Sequence, residues 1–538
     1  MLAAETIPQL IHKAINEYGA HEAIVLGDNR RTYAELERRS AKLARALLGA
    51  GVGKASRVGI LLGNGPDWIE AWFAITRIGA VTVPLSTFSK PSEISKTIAH
   101  ADLQFIFFQP ALVGRSFGDL LEQALPELTG QVFPLQLAQA PFLRGIACFG
   151  QTDHTWAVTT TGLADGALAP LVSEEVLAAA EKQVDPEDWA FIIYTSGSTA
   201  EPKGVIHSHR NIMLKCRDTN RAYRFELGDR CYHSGPWFWV GGLVSCLFPA
   251  VSVGATIFCT ETFEAGRILD LLERERLTNV DAWPHQVEAM VAHPAFENTD
   301  RSSLGPMCFA TPLLPPGREP RPAWSACGVG MTETLGMYGF HDLADPPPPP
   351  ELIKSEGKIR PGFEVRMIDA DGNDVPDGEI GEFIVRGGTT AVGLYKQPRA
   401  RSYDRDGWFH TGDLGVRNGD YLSFRSRQGD MIKTSGANVA PPEVEAALYG
   451  LPGVREAYVA GIPDEIRGQI LAAAVVLEPE ATLTAKQARD ELRTKLSTYK
   501  VPAHIFFVKS DEIPRSPNDK FKRAALVELM RPWVTAEQ

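Results

Sequence analysis

The stretch Tyr194-Thr-Ser-Gly-Ser-Thr-Ala-Glu-Pro-Lys203-Gly204 concentrates small hydroxyls, a glycine and a lysine in one short segment. Backbone amides and hydroxyls donate hydrogen bonds to phosphate oxygens, which only accept them, and the lysine adds a positive charge. The apolar residues 189–194 that precede it are typical of a buried strand, and α/β proteins bind ligands at strand ends. The pattern predicts a loop that binds a polyphosphate, although its spacing is not that of a Walker A loop. The alternative is a flexible Ser/Gly/Thr loop at the surface.

Length and composition bound the class of protein. The chain has 538 residues, of which 44% are hydrophobic and 22% charged, and its net charge is −12. One hydrophobic core does not organise a chain of this length, so two or more domains are expected. The negative charge argues against a nucleic-acid partner. Seven scattered cysteines, no apolar run of membrane-spanning length and no signal peptide indicate a cytoplasmic protein with reduced thiols and no transmembrane segment.

The order of apolar segments predicts an α/β fold. Helices at 32–48 and 67–78 alternate with strands at 57–62 and 80–84, which indicates a parallel sheet covered by helices. We therefore expect a large N-terminal domain of layered α/β subdomains over residues 1–428, with a small β-rich subdomain at about 352–425. A small α+β C-terminal domain is expected over residues 430–538.

Further segments carry chemistry suited to a nucleotide. Thr332 and Glu333 offer a hydroxyl and a hard oxygen ligand for a magnesium nucleotide, although a helix N-cap would use the same residues. The Asp413 carboxylate can accept from both ribose hydroxyls, although an aspartate in a turn is common. Lys520 lies in the basic run 514–523, and such runs are usually solvated surface.

In this order along the chain, the segments resemble the AMP-forming acyl-adenylating enzymes. That family includes acyl-CoA synthetases, aryl-CoA ligases, luciferases and peptide-synthetase adenylation domains, and the pattern is most similar to stand-alone acyl-CoA synthetases. The resemblance covers about residues 5–530. It implies an ATP site made of Thr195, Ser196, Gly197, Ser198, Thr199, Lys203, Thr332, Asp413, Arg427 and Lys520.

The resemblance also implies roles within that site. Lys203, Thr332, Glu333 and Lys520 would be catalytic, with Glu333 holding Mg²⁺ and Lys520 bridging the reacting carboxylate and the α-phosphate. A carboxylic acid, ATP and coenzyme A would be the small-molecule partners, and an acyl-AMP would be transferred to the coenzyme A thiol. Gly429 would be the hinge about which the C-terminal domain rotates between the two steps. A homodimer is one oligomeric state open to such a chain.

The segment 235–243 resembles the part of the family that flanks the acyl channel. The implied acyl pocket contains Trp239, Val240 and Gly241, and Trp283 adds a second aromatic side chain. These residues favour an apolar acid, whether fatty, aryl or the acidic side chain of a larger molecule. His207 and His209 follow the phosphate loop, and packing at a helix start explains both better than catalysis.

Departures from the family pattern leave other functions open. Ala200 and Asp519 replace glycines, Val329 replaces an aromatic residue that lies against adenine, and the segment 309–323 is short. An aromatic residue at 329 is therefore expected to tighten ATP binding. The alternatives are an acyl-AMP ligase that transfers to a carrier-protein pantetheine or releases the acyl-AMP, and a degenerate non-catalytic nucleotide-binding paralogue.

Overall fold

A computed structural model describes residues 5–166, 171–195, 203–306, 308–322, 325, 328–342, 345–427, 431–515, 521 and 523–537. Its α-helices are α1 (Ile7–Tyr18), α2 (Tyr33–Gly49), α3 (Pro66–Arg77), α4 (Pro91–His100), α5 (Phe117–Ala124), α6 (Thr160–Asp165), α7 (Glu174–Lys182), α8 (His209–Tyr223), α9 (Val240–Gly242), α10 (Phe248–Val253), α11 (Ala265–Glu275), α12 (Pro284–Val291), α13 (Pro441–Tyr449), α14 (Ala485–Lys495) and α15 (Arg523–Glu537).

The strands are β1 (Glu22–Leu26), β2 (Asn29–Thr32), β3 (Arg57–Leu61), β4 (Val81–Pro84), β5 (Phe105–Phe108), β6 (Ala111–Leu112), β7 (Arg115–Ser116), β8 (Gly145–Cys148), β9 (Val158–Thr159), β10 (Trp189–Thr195), β11 (Lys203–Ser208), β12 (Arg230–His233), β13 (Thr256–Cys259), β14 (Asn279–Asp281), β15 (Gly328–Met331), β16 (Gly336–Phe340), β17 (Lys358–Ile359), β18 (Phe363–Ile368), β19 (Ile380–Gly387), β20 (Gly393–Leu394), β21 (Phe409–Asn418), β22 (Tyr421–Arg427), β23 (Ile432–Thr434), β24 (Ala437–Val439), β25 (Val454–Asp464), β26 (Gly468–Leu477) and β27 (His504–Phe507).

The first α/β layer is an eight-stranded sheet in the order β20-β11-β10-β4-β3-β5-β8-β9. Strands β3, β4, β5 and β8 run parallel, and their residues are almost all buried because helices cover both faces. Helix α2 begins where predicted because Thr32 and Glu35 form a reciprocal capping box at its N-terminus. The helix–strand alternation predicted for the start of the chain is confirmed.

The phosphate-loop segment joins two neighbouring strands of this sheet. Strands β10 and β11 pair antiparallel, and the register sets Thr195 opposite Lys203. The two described ends of the loop are therefore adjacent. A second layer is the five-stranded sheet β14-β12-β13-β1-β2. It includes three strands that follow residue 211, with parallel pairs such as β12 and β13.

The β-rich part of the chain is a seven-stranded antiparallel sheet in the order β15-β16-β17-β22-β21-β19-β18. It begins at Gly328, earlier than the predicted start at about residue 352, because β15 and β16 form a hairpin along one edge. The pairing of β21 with β22 sets Asp413 opposite Arg427.

The last part of the chain forms a five-stranded sheet, in which β24-β23-β26-β25 are joined by β27 along β26, with α13, α14 and α15 against it. The fold class is confirmed as α/β with a large N-terminal domain and a small α+β C-terminal domain. Within the described part of the chain, no helix combines the length and the apolar character needed to cross a membrane. The six described cysteines are buried and have free thiols, as expected.

Candidate active site

A cleft of about 940 Å³ lies between the N-terminal part of the chain and the C-terminal α+β domain. It brings together these residues singled out from the sequence: Thr195, Thr332, Trp239, Val240, Gly241 and Trp283. The C-terminal domain closes it with Gly436, Asn438, Glu443, Tyr499 and Lys500, none of which the sequence analysis identified. The phosphate-loop strand, the Thr332 turn and the aromatic residues thus share one cavity.

Thr332 begins a one-turn 3₁₀ helix that follows β15, and three hydrogen bonds from other segments hold this turn. His207 Nε2 lies 2.8 Å from the Thr332 carbonyl oxygen, and the Ala391 amide donates to the Glu333 carbonyl at 2.7 Å. The Thr389 hydroxyl donates to the Thr334 carbonyl at 3.1 Å. The turn backbone is therefore fixed, which orients the Thr332 and Glu333 side chains.

The Glu333 carboxylate suits a magnesium ion that arrives with a nucleotide. It is partly exposed and has no hydrogen-bond or ion-pair partner among the described residues. The described residues contain no group of three or more side chains that could hold a metal alone. Mg²⁺ commonly takes one or two protein carboxylates and completes its shell with phosphate oxygens and water. A single carboxylate beside Thr332 fits that pattern.

His207 and His209 are structural, as expected, but His207 also positions the Thr332 turn. Both rings are buried, and burial lowers the pKa of each to about 4. His207 is therefore neutral near pH 7 and donates through Nε2 to the Thr332 carbonyl. His209 Nδ1 accepts from the Ile7 amide at 3.2 Å. The sequence contained no sign of the His207 contact, since the two residues are 125 positions apart.

These two histidines predict a loss of stability in mild acid. An unfolded histidine titrates near pH 6.5 and the folded ones at about 4, so only the unfolded chain takes up protons in between. The contribution of each histidine to the free energy of unfolding is fully present above about pH 6.5. It falls with the pH and is lower by roughly 2 kcal/mol per histidine at about pH 5. Chemical denaturation at about pH 7 and at about pH 5 measures this difference in the free energy of unfolding. His209→Gln should show a smaller loss, whereas the exposed His410→Gln should behave as the unmodified protein.

Asp413 lies on β21 and does not line the cleft. Its side chain is buried, and its amide donates to the Thr411 hydroxyl at 2.9 Å. The Thr411 hydroxyl donates in turn to the Phe383 carbonyl at 2.6 Å, which ties this segment to β19. Lys203 and Glu333 are also absent from the cleft wall.

Several predicted residues lie outside the part of the chain that the structure describes. These are Ser196, Gly197, Ser198, Thr199, Gly429 and Lys520, and of Arg427 only the backbone is described. Their roles stay predictions.

The described neighbours of Lys520 do not line the cleft. The Arg515 guanidinium lies 2.8 Å from the Glu456 carboxylate, and the Phe521 and Tyr458 rings lie 4.5 Å apart. None of these four residues lines the cleft. In this orientation the C-terminal domain presents a different face to the cleft, namely the β23–β24 hairpin.

The tip of that hairpin packs directly on Trp283, which the sequence analysis assigned to the acyl pocket. Gly436 has φ +80, a left-handed conformation that favours glycine, and a Cβ placed on it would lie 2.2 Å from the Trp283 ring. A residue with a side chain does not fit without movement of the ring or of the domain. Gly436 therefore allows the hairpin to enter the cleft.

One part of the cleft wall is aromatic and another part contains polar groups. The Trp239 ring lies 5.4 Å from Phe238 and 5.9 Å from both Phe88 and Tyr499, measured between centroids. The Phe309 and Tyr223 rings, which also line the cleft, lie 4.6 Å apart. Its polar groups include His233 and Asp281, whose Nε2 and Oδ2 atoms lie 3.3 Å apart. The cleft therefore suits a flat apolar ligand with a polar substituent.

The structure gives no support to the expectation that position 329 lies against the adenine. Val329 is buried in the core of the β-rich sheet with Tyr338 and Leu422, whereas its neighbours Gly328 and Gly330 line a smaller cavity beside the cleft. A Cβ placed on Gly339 would lie 2.7 Å from Val329 Cγ1, so this core has no space to spare.

Val329→Tyr is therefore expected to destabilise the protein and not to tighten ATP binding. Forcing extra volume into a packed core costs about 1–3 kcal/mol. Thermal unfolding measures the loss, and titration with ATP checks the affinity. Ile380→Tyr, at an exposed position on β19 of the same sheet, is the matched control and should leave the melting temperature unchanged. Tighter ATP binding by the Val329 variant would contradict this account.

Comparison with known proteins decides the family. The sequence profile of AMP-binding enzymes matches residues 11–395, and that of the AMP-binding enzyme C-terminal domain matches residues 443–520. The chain belongs to the AMP-binding enzyme family. It is 31% identical over 508 residues to a feruloyl-CoA synthase of Amycolatopsis, covering 93% of this chain and 94% of that protein. It is 29% identical to an indoleacetate–CoA ligase of Aromatoleum aromaticum, covering 94% of both chains.

Two solved structures have the same fold. An amide bond synthetase, McbA from Marinactinospora thermotolerans, superposes with a TM-score of 0.78 at 25% identity, covering 97% of this chain and 99% of its own. The anthranilate CoA ligase AuaEII, solved with anthranoyl-AMP, gives a TM-score of 0.66 at 24% identity and covers 98% of both chains. The protein described here is an enzyme of the AMP-forming acid–thiol ligase class, which uses ATP, Mg²⁺ and coenzyme A.

Proposed function

We propose that this protein activates an apolar, ring-bearing carboxylic acid as its coenzyme A thioester. An oxygen of the acid attacks the α-phosphorus of ATP, the bond to pyrophosphate breaks, and an acyl-AMP forms. The coenzyme A thiol then attacks the acyl carbon, AMP leaves with the oxygen that came from the acid, and the thiol proton passes to solvent. The observation that carries the proposal is the cleft, which joins the phosphate-loop strand and the Thr332 turn to an aromatic acyl wall.

The aromatic wall supports a ring-bearing acid over an unbranched fatty acid. Trp239, Trp283 and Phe309 offer flat faces on which a ring can stack, and the His233–Asp281 pair can bind a polar ring substituent. Feruloyl-CoA synthase, indoleacetate–CoA ligase and 3-hydroxybenzoate–CoA ligase are relatives whose names specify aromatic acids. These similarities agree with the lining of the cleft.

Fixed cations and hydrogen-bond donors would provide the catalysis, because both steps pass through crowded anionic transition states. We assign the triphosphate to residues 195–199 and Lys203, the α-phosphate to Thr332, and the nucleoside to Asp413 and Arg427. Mg²⁺ on Glu333 would neutralise phosphate charge. Lys520 would act only while the carboxylate and the α-phosphate react.

We propose the domain division at 1–428 and 430–538, with the hinge at Gly429. In the orientation described here the β23–β24 hairpin occupies the cleft, and the neighbours of Lys520 contact Glu456 and Tyr458. This arrangement suits the thiol step, because the C-terminal domain lines the cleft with this hairpin and not with the described neighbours of Lys520. A cytoplasmic location and a homodimer stay predictions, and the molecular mass in solution tests the second.

A panel of acids separates the proposed function from its alternatives. Acid-dependent exchange of pyrophosphate into ATP measures adenylation, and AMP release with coenzyme A measures thioester formation. We expect ring-bearing acids to support both, with straight-chain acids of equal carbon number as the matched control. Exchange without release by coenzyme A would favour a carrier-protein acceptor or a released acyl-AMP. ATP binding without exchange for any acid would favour the non-catalytic paralogue.

A further inference from the structure

A buried ion pair joins the two domains at the edge of the cleft. Lys500, in the 3₁₀ turn Thr498–Lys500 of the C-terminal domain, places its Nζ 2.7 Å from Oε1 of Glu93 on α4 of the N-terminal domain. The same Nζ lies 2.8 Å from the Glu443 carboxylate on α13. The Lys500 side chain is 9% exposed and the two glutamates are 16% and 17% exposed. One lysine therefore neutralises charge on both sides of the domain interface.

Both oxygens of the Glu93 carboxylate accept hydrogen bonds. Its Oε2 accepts from the Ser497 hydroxyl of the C-terminal domain and from the Lys90 amide at the start of α4, each at 2.7 Å. The carboxylate that caps its own helix thus also receives two donors, Lys500 and Ser497, from across the interface. Since α4 is packed in the N-terminal core through Ile94 and Ile98, the C-terminal domain docks on a fixed group.

The charges make this contact specific to one orientation. Burial acts to lower the pKa of Lys500, but Tyr499, Glu93 and Glu443 outweigh it and raise the pKa, so the ammonium stays charged near pH 7. If the domain rotates away, Lys500 keeps Glu443, which belongs to its own domain, but Glu93 must find water or another partner. If an uncharged residue of similar size replaced Lys500, the buried carboxylates of Glu93 and Glu443 would face each other without a cation. Loss of one member of a buried ion pair is strongly destabilising.

The residue next to the ion pair contacts the acyl pocket. The Tyr499 ring lies 5.9 Å from Trp239 and 6.4 Å from Phe88, edge to face in both cases. Trp239 and Phe88 belong to the N-terminal domain, so this aromatic contact also exists only while the two domains are docked. The ion pair and the acyl-pocket wall are therefore linked through adjacent residues of one turn.

We propose that Lys500, Glu93 and Ser497 form an interdomain latch that holds the C-terminal domain in the orientation of the thiol step and seats Tyr499 against Trp239. Lys500 and Glu93 are then positioning residues for thioester formation and have no part in adenylation, for which the domain must leave this position. The inference rests on the proposed function for its kinetic meaning, but the latch itself is a property of the free protein.

The test uses Lys500→Met, which keeps most of the length of the side chain and removes the charge. Thioester formation from preformed acyl-AMP and coenzyme A should fall by roughly tenfold or more, whereas pyrophosphate exchange should be unchanged. Glu93→Gln is the second variant, because glutamine still caps α4, and it should show the same selective loss. Arg493→Met, which removes an exposed ion pair within helix α14, is the matched control and should alter neither step.

Amide hydrogen exchange of the free protein provides a readout that needs no substrate. Residues 497–501 and the exposed face of α4 should exchange faster in Lys500→Met and in Glu93→Gln than in the control. Unchanged exchange in both variants, or equal loss of both half-reactions, would overturn the latch. If the unmodified protein turns over no acid, the proposed function fails, while the exchange measurement still decides whether the latch exists.

Discussion

Lys520→Ala is expected to reduce acyl-AMP formation by on the order of a hundredfold or more, because it removes a preorganised cation from a closed site. Thioester formation from synthetic acyl-AMP should survive, since the described neighbours of Lys520 do not line the cleft in this orientation. Pyrophosphate exchange and single-turnover thioester formation measure the two steps separately.

Two further variants sharpen this prediction. Lys522→Ala removes a lysine two positions away and should leave both steps intact. Lys520→Arg should restore little activity, because the guanidinium is broad and planar where a compact ammonium is needed. Equal loss of both half-reactions in Lys520→Ala, or efficient adenylation by it, would show that the C-terminal basic motif has another role.

Gly436→Ala is expected to have the opposite selectivity. Its Cβ would lie 2.2 Å from the Trp283 ring, so the β23–β24 hairpin cannot enter the cleft as described. A misplacement of about 1 Å near reacting groups can cost on the order of a hundredfold, and we expect that loss in the thiol step alone. The same two assays measure it, and adenylation should be retained.

Gly468→Ala is the matched control for backbone strain. Gly468 has φ +76, close to the +80 of Gly436, but an added Cβ would meet only a carbonyl oxygen at an ordinary 3.5 Å. Both substitutions strain a left-handed glycine, and only one collides with the other domain. Similar losses of thioester formation in the two variants would show that strain is responsible and not the fit against Trp283.

Much of the fold could be predicted from local sequence because hydrophobic periodicity and helix caps act over short distances. Thr32 with Glu35 marks the start of α2, and the apolar runs mark β3 and β4. The hairpin β15–β16 was not predicted, because Gly328, Gly330, Gly336 and Gly339 give it a low β-propensity. Its pairing with the sheet stabilises strands that their own residues do not favour.

The candidate site could be predicted only where one segment carries a recognisable set of groups. Thr332 and Trp239 stand in such segments, and both line the cleft. The orientation of Val329 could not be predicted, because a register shift between Val329 and Gly330 decides which face of β15 each residue occupies. Lys500 and Glu93 are 407 positions apart, and no pattern in a single sequence pairs them.

The most direct test of the central claim follows an oxygen atom from the acid into the nucleotide. The enzyme is supplied with ATP, coenzyme A and a ring-bearing acid that carries ¹⁸O in both carboxylate oxygens. Mass spectrometry then measures the masses of the products. Attack on the α-phosphorus followed by thiol displacement predicts AMP with one heavy oxygen, together with the acyl-CoA. Unlabelled AMP, or ADP and phosphate in its place, would contradict activation through an acyl-AMP.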